Sequence, residues 1–304
     1  MFCHLRSSFT GIACCAGLVA GVLICPSAAG DMLTLISTNE EASGAFGAAV
    51  SGIPDINGDG YDDVIVGAPK ENGGGVVDAG RVYIYSGKTG AFIRAHSSPN
   101  DSIQGAYGIA VAGIPDVDGD GRGDYLVGAS GELAFGGRVY LYSGASGNLI
   151  RFHSSPNSEN SGFFGRSVAG VRDLNGDGRG DYVVGAPGEN GQRGRVYVYS
   201  GNNGALIRTT LSPNAEPGGQ FGFSVSSVPD TNSDNRDDYV VGAPYEDPGA
   251  SPANSGRAYI FSGTNGALQH TLVSGNPYTN GHFGWSVSGV PDVGGNGGGD
   301  VVVG

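Results

Sequence analysis

Apolar and polar positions along this chain fall into short runs that return in the same order. In the best-formed stretch, residues 164–171 alternate as a half-buried strand does, and residues 173–181 form a polar, turn-rich loop. Residues 182–187 are then almost continuously apolar, the pattern of a strand covered on both faces. Residues 195–201 alternate again with period two, and residues 204–208 make a fourth short strand. The order recurs behind five aromatic–Gly pairs: Phe46-Gly47, Tyr107-Gly108, Phe164-Gly165, Phe221-Gly222 and Phe283-Gly284. Their spacings are 61, 57, 57 and 62 residues, so each repeat is one supersecondary unit that buries its apolar face against its neighbours. Four antiparallel strands per repeat is the content of a propeller blade, and the predicted fold is an all-β propeller of four full blades and a truncated fifth.

Length variation is confined to one place. From the residue that closes Gly-Ala-Pro or Gly-Ala-Ser to the following Arg, the first four repeats measure 12, 8, 8 and 13 residues. The extra residues account for the longer periods, so insertions fall between the second and third strands. That loop opens on the face opposite the Asp-rich loops, which makes residues 70–80 and 245–256 the expected partner-facing insertions. Residues 33–37 resemble the fourth strand of a preceding blade. The fifth repeat stops inside its second strand, which predicts that residues 30–304 are a propeller incomplete at its carboxy terminus.

The Asp-rich loops carry the chemistry. They comprise Asp55, Asn57, Asp59, Tyr61 and Asp63; Asp116, Asp118, Asp120, Arg122 and Asp124; Asp173, Asn175, Asp177, Arg179 and Asp181; and Asp230, Asn232, Asp234, Arg236 and Asp238. In each, positions 1, 3, 5 and 9 offer side-chain oxygen, and position 7 (Tyr61, Arg122, Arg179 or Arg236) offers its backbone carbonyl. That is a hard ligand set suited to Ca²⁺, and about four structural calcium sites are expected. An EF-hand would need a bidentate Glu at position 12, where this chain has Val66, Val127, Val184 and Val241. The fifth loop, with Asp292, Asn296 and Asp300, lacks a position-3 oxygen and is expected to bind weakly or not at all. Extracellular Ca²⁺ modules bind at about 10⁻⁴–10⁻³ M, so each occupied site would add on the order of 1 kcal/mol.

Composition narrows the setting. Residues 1–29 combine Arg6, a short apolar run and Ser27-Ala28-Ala29, as a secretory signal peptide does. All four cysteines lie in that leader, so the exported chain has no disulfides. A net charge of −13 disfavours nucleic acid and anionic membranes, and no later stretch is apolar enough to insert. Location is expected to be secreted or cell-surface, with the periplasm as an alternative. His96 and His153 hold matching places in two repeats and read as parts of the blade, Trp285 reads as a core residue, and no nucleophile elbow or zinc spacing appears. Arg122-Gly123-Asp124 and Arg179-Gly180-Asp181 spell an adhesion tripeptide, but each Asp belongs to a cation loop.

The succession Phe-Gly, Asp-x-Asn-x-Asp-Gly-x-x-Asp and Gly-Ala-Pro resembles the FG-GAP repeat of the integrin α-subunit propeller. Repeats one, three and four carry all three elements, with Asn235 replacing the loop Gly in the fourth; repeat two has Tyr107 and Ser130 in place of Phe and Pro. The resemblance implies a seven-bladed propeller with Ca²⁺ in hairpin loops. It points to an interaction or adhesion module with a protein or glycan partner. The alternatives are the non-catalytic propeller of a larger secreted hydrolase, similar to glycosylphosphatidylinositol-specific phospholipase D, and a sugar-binding propeller. No enzymatic activity is expected within the 304 residues.

Overall fold

A computed structural model describes residues 33–39, 41–249 and 252–304; the predicted leader lies outside the described residues. The first blade is built from β1 (Ala49–Ile53), β2 (Asp63–Ala68), β3 (Arg81–Tyr85) and β4 (Phe92–Ser97). The second is β5 (Tyr107–Ile114), β6 (Asp124–Ala129), β7 (Arg138–Tyr142) and β8 (Leu149–Ser154). The third is β9 (Ser167–Val171), β10 (Asp181–Ala186), β11 (Arg195–Ser200) and β12 (Leu206–Leu211). The fourth is β13 (Ser224–Val228), β14 (Asp238–Ala243), β15 (Arg257–Phe261) and β16 (Leu268–Leu272). Each is an antiparallel meander in chain order, and β17 (Val287–Val290) pairs with β18 (Asp300–Val303) as the start of a fifth. The first strands of successive blades pack on one another, β1 on β5, β5 on β9, β9 on β13 and β13 on β17, which makes this a β-propeller.

The predicted second strands are buried along their length, in keeping with continuous apolar runs. In the third repeat the predicted first strand, residues 164–171, begins too early. In blades three and four the aromatic–Gly pair precedes the strand and forms a turn of its own, bridged in parallel to Gly137 and Gly194 of the preceding blade. Its glycine has a structural cause. A Cβ on Gly67, Gly128, Gly185 or Gly242 would fall 2.0–2.1 Å from the carbonyl oxygen of Gly108, Gly165, Gly222 or Gly284. The Gly of Gly-Ala-Pro in one blade therefore meets the Gly of the aromatic–Gly pair in the next, backbone to backbone. Tyr107 replaces Phe without loss because its hydroxyl bonds Tyr142 at 2.9 Å.

A buried glutamate, two residues past the Pro or Ser, ties each pair of blades. Glu132, Glu189 and Glu246 accept hydrogen bonds from Ser98, Ser155 and Ser212, the residues that leave the outer strand of the previous blade. The same carboxylates accept from Tyr140, Tyr197 and Tyr259 within their own blade. Arg138 and Arg195 add ion pairs at 3.2 and 3.3 Å. Glu71 repeats the arrangement with Ser37 and Tyr83, so residues 33–37 do sit where an outer strand of a preceding blade would sit. Leu35 packs among Val66, Tyr83 and Tyr85.

One position above this latch, His96 and His153 stack on Tyr142 and Tyr199 of the next blade and bond the hydroxyls of Tyr125 and Tyr182. Thr210 makes the equivalent bond to Tyr239. At the first junction the matching residues are both apolar, Leu35 and Val64.

Glu189→Ala leaves Ser155, Tyr197 and Arg195 without their shared acceptor, and urea unfolding is expected to lose about 3 kcal/mol, with Ser155→Ala losing about 1 kcal/mol. Burial, with the charge of Arg94 or Arg151 as a smaller contribution, pushes His96 and His153 down to about 4. The unfolded chain then takes up protons first, so stability present at neutral pH is lost as pH falls from about 6.5 towards 4. Each histidine should cost about 1–2 kcal/mol between pH 7.5 and 5, and His153→Thr, copying Thr210, should remove its share of that slope in urea titrations.

Candidate metal centre

The four Asp-rich loops connect the first and second strands of their blades and share one geometry, clearest in the second. Asp116 opens the loop and turns its carboxylate inward: Oδ1 accepts the Gly119 N–H at 2.6 Å and Oδ2 the Gly121 N–H at 3.0 Å. Asp118 Oδ1 accepts from the Asp120 N–H at 3.1 Å, and Asp120 Oδ1 from the Arg122 N–H at 2.9 Å. Asp116 thus caps the backbone three and five residues on, and Asp118 and Asp120 two residues on, winding the loop around its own oxygens. Gly119 and Gly121 take φ of +87° and +84°, and in the fourth loop Ser233 and Asn235 accept φ of +65° and +66° at the same places.

This winding brings carboxylate oxygens of Asp116, Asp118 and Asp120 within 4.8 Å of one another. Three anionic groups so close repel, and a hard cation among them would relieve the repulsion; oxygen donors in a turn fit Ca²⁺. The first and third loops repeat the bonds through Asp55, Asn57 and Asp59 and through Asp173, Asn175 and Asp177. The fourth does so through Asp230, Asn232 and Asp234. The fifth folds alike around Asp292, but its third position is Gly294, which brings no oxygen.

Position 9 has a structural duty that the sequence does not reveal. Asp63, Asp124, Asp181 and Asp238 are buried, and their carboxylates accept from the backbone N–H of Ile56, Val117, Leu174 and Thr231 and of Gly87, Gly144, Gly201 and Gly263. They pin each loop to the hairpin between the third and fourth strands. Burial pushes Asp124 and Asp181 up to about 6, with nearby loop carboxylates adding to the rise and the backbone donors opposing it. Neither Arg-Gly-Asp tripeptide is presented, because Asp124 and Asp181 are fully enclosed. Three serines from the same hairpins, Ser86, Ser143 and Ser200, hold the second oxygen of Asp59, Asp120 and Asp177 at 2.9–3.0 Å. The recurring Tyr-Ser-Gly was the signal for them.

The position-7 arginines, counted in the sequence only for their carbonyls, reach across the blade interface. Arg122 lies 3.4 Å from Asp55, Arg179 3.4 Å from Asp116, and Arg236 3.6 Å from Asp173, each the first Asp of the preceding loop. On the same face, a cavity of 370 Å³ opens where the inner strands end, lined by Pro54, Pro115, Pro229 and Pro291, with Arg172 in place of the remaining Pro. Arg172 bonds Asp237 of the next blade at 2.5–2.9 Å.

The opposite face holds a surface that corrects an expectation. Trp285 is 45% exposed and no core residue. It packs on Phe223 and His282 with Tyr245 alongside, and Arg166 lies over the Phe223 ring. Tyr245 opens the longer insertion, so aromatic surface and inserted loop adjoin.

Because Asp181 satisfies two buried backbone donors, Asp181→Ala is expected to cost about 2–4 kcal/mol in a chelating buffer. The check is denaturant unfolding with no divalent ion present.

The FG-GAP repeat family matches residues 46–85, 164–199 and 221–261. These are repeats one, three and four; repeat two, with its Tyr107 and Ser130, folds as a full blade all the same. Human integrin alpha-11 is 33% identical over 59% of this chain and 16% of its own length. Mouse integrin alpha-IIb is 33% identical over 66% of the chain and 20% of its own length, and bovine integrin alpha-2 is 29% identical over 80% and 22%. The chain thus spans about a fifth of the length of these relatives. Among solved structures, Saccharomyces cerevisiae Sqt1 matches 93% of this chain and 62% of its own with a TM-score of 0.55 at 10% identity, a likeness of fold alone. Repeat motif, blade architecture and relatives agree: the chain carries FG-GAP repeats and is similar to integrin alpha subunits.

Proposed function

We propose that this chain is an exported, calcium-stabilised propeller that acts as a non-enzymatic interaction module of the adhesion type. The observation that carries the reading is the convergence of the oxygens of Asp116, Asp118 and Asp120 in a loop whose hydrogen-bond pattern recurs in three other blades. Calcium would be held by positions 1, 3 and 5, the carbonyl at 7 and a remaining lone pair at 9. Its chemistry there is electrostatic: it offsets the repulsion among the carboxylates and stiffens the loop. The acidic balance of the chain and the loop donors favour this over a catalytic or nucleic-acid role. Among the described residues no helix is long and apolar enough to cross a membrane.

Partner contact is assigned to the opposite face. The insertions there vary in length without disturbing the blades, and Trp285, Tyr245, Phe223 and His282 offer aromatic surface of the kind that anchors protein or glycan ligands. The chain has one Trp, so its fluorescence reports on that face alone.

The test has two readings. Millimolar calcium is expected to raise the melting temperature by roughly 5–10 °C, an effect lost when Asp59, Asp120, Asp177 and Asp234 are all replaced by Ala; an unchanged melting temperature overturns the calcium assignment. Screening against extracellular-matrix proteins and glycans should yield a ligand that perturbs Trp285 fluorescence and is lost in Trp285→Ala. Ligands that bind equally well to that variant overturn the assigned face, and no ligand in either set overturns the interaction reading.

A further inference from the structure

We propose that the arginine at position 7 of each cation loop sets the cation affinity of the loop in the preceding blade, coupling the sites around the ring. The proposal rests on the calcium reading above and extends it to residues outside each ligand set. Wherever position 7 is Arg and a described loop precedes it, the contact is made: Arg122 to Asp55, Arg179 to Asp116 and Arg236 to Asp173. The guanidinium groups lie against the glycine at position 4 of the preceding loop, Gly58, Gly119 and Gly176, where a Cβ would come within 2.3, 2.6 and 3.2 Å of a terminal nitrogen. Arg236 also donates to the Asp173 carbonyl at 2.6 Å. The side chain is therefore seated, and it belongs to the neighbouring loop more than to its own.

The chain contains its own comparison. The first, third and fourth loops have identical oxygen types, Asp, Asn, Asp and Asp at positions 1, 3, 5 and 9. The first and third receive an arginine from the next blade. The fourth receives none from the next blade, because position 7 of the fifth loop is Gly298; Arg172 of the blade before acts on Asp230 only at longer range, its ion pair going to Asp237. A fixed positive charge beside the first carboxylate opposes a divalent cation and takes part of that carboxylate's charge. When the cation is withdrawn, the same charge offsets the repulsion left behind and keeps the two blades tied. The fourth loop accordingly binds more tightly than the first or third, and the arginine-bearing loops tolerate calcium loss better.

The experiment isolates one loop. In a chain carrying Asp120→Ala, Asp177→Ala and Asp234→Ala, only the first loop keeps its ligands, and calcium affinity is measured by calorimetry or chelator competition. Arg122→Gln is expected to tighten binding about three- to tenfold, whereas Arg179→Gln, the same charge change one blade farther away, should leave it within about twofold. Equal effects of the two substitutions, or none from Arg122→Gln, overturn the coupling. A companion chain with only the fourth loop intact should bind more tightly than the first-loop chain; weaker binding there also counts against it. In the wild-type ligand background, replacing Arg122, Arg179 and Arg236 together by Gln should lower the melting temperature in chelator by about 2–5 °C while enlarging the rise that calcium gives. An unaltered rise overturns the proposal even if the single-loop chains fold poorly. Absence of calcium binding in the wild-type chain would instead defeat the calcium reading itself.

Discussion

A buried carboxylate on the turn after each second strand joins one blade to the next, and the rest of the architecture is arranged around that contact. Glu132, Glu189 and Glu246 each gather a serine from the blade before and a tyrosine from their own, and Glu71 gathers Ser37 and Tyr83 in the same way. A charge this enclosed is tolerable only with such partners, because its desolvation has to be offset by hydrogen bonds of good geometry. The latch therefore demands that adjacent blades meet in one register. The paired glycines that let their backbones touch, and the His–Tyr or Thr–Tyr contacts above, conform to it.

Two faces of the ring answer to different constraints. On one, the Asp-rich loops are wound by their own side chains and pinned through the buried position-9 carboxylate to the hairpin between strands three and four. Their length does not vary, since one residue more would break the Asx ladder. On the other, the connection from strand two to strand three needs only to deliver its glutamate and return to Arg81, Arg138, Arg195 or Arg257. It accepts four or five extra residues without cost to the latch.

Electrostatics runs through both. The chain is acidic overall, yet many of its arginines are paired: Arg138, Arg195 and Arg257 with the buried glutamate of their own blade, and Arg122, Arg172, Arg179 and Arg236 with aspartates of a neighbouring blade. The described residues contain no cysteine, so neighbouring blades are held by non-covalent contacts, and charge pairing between blades bears part of that load alongside apolar burial.

Period, strand order and loop chemistry are local properties, and each was legible from residue types at fixed spacing: alternation for a half-covered strand, an apolar run for a covered one, Asp and Asn at odd positions for a turn that caps itself. The role of residues 33–37 as a stand-in outer strand was legible for the same reason, because Ser37 repeats Ser98, Ser155 and Ser212. What the one-dimensional pattern could not carry was contact between repeats. Glu189 and Ser155 are 34 residues apart, and Arg122 and Asp55 are 67. Nothing within a single repeat distinguishes a glutamate bound for a buried interface from one bound for solvent. Trp285 went the other way, read as core from its type and placed by the ring at an open face. The sequence by itself determined what each blade is, since a blade is built from neighbours along the chain. Only the tertiary structure decided how blades hold one another, because those contacts exist only once the repeats have been brought around a common axis.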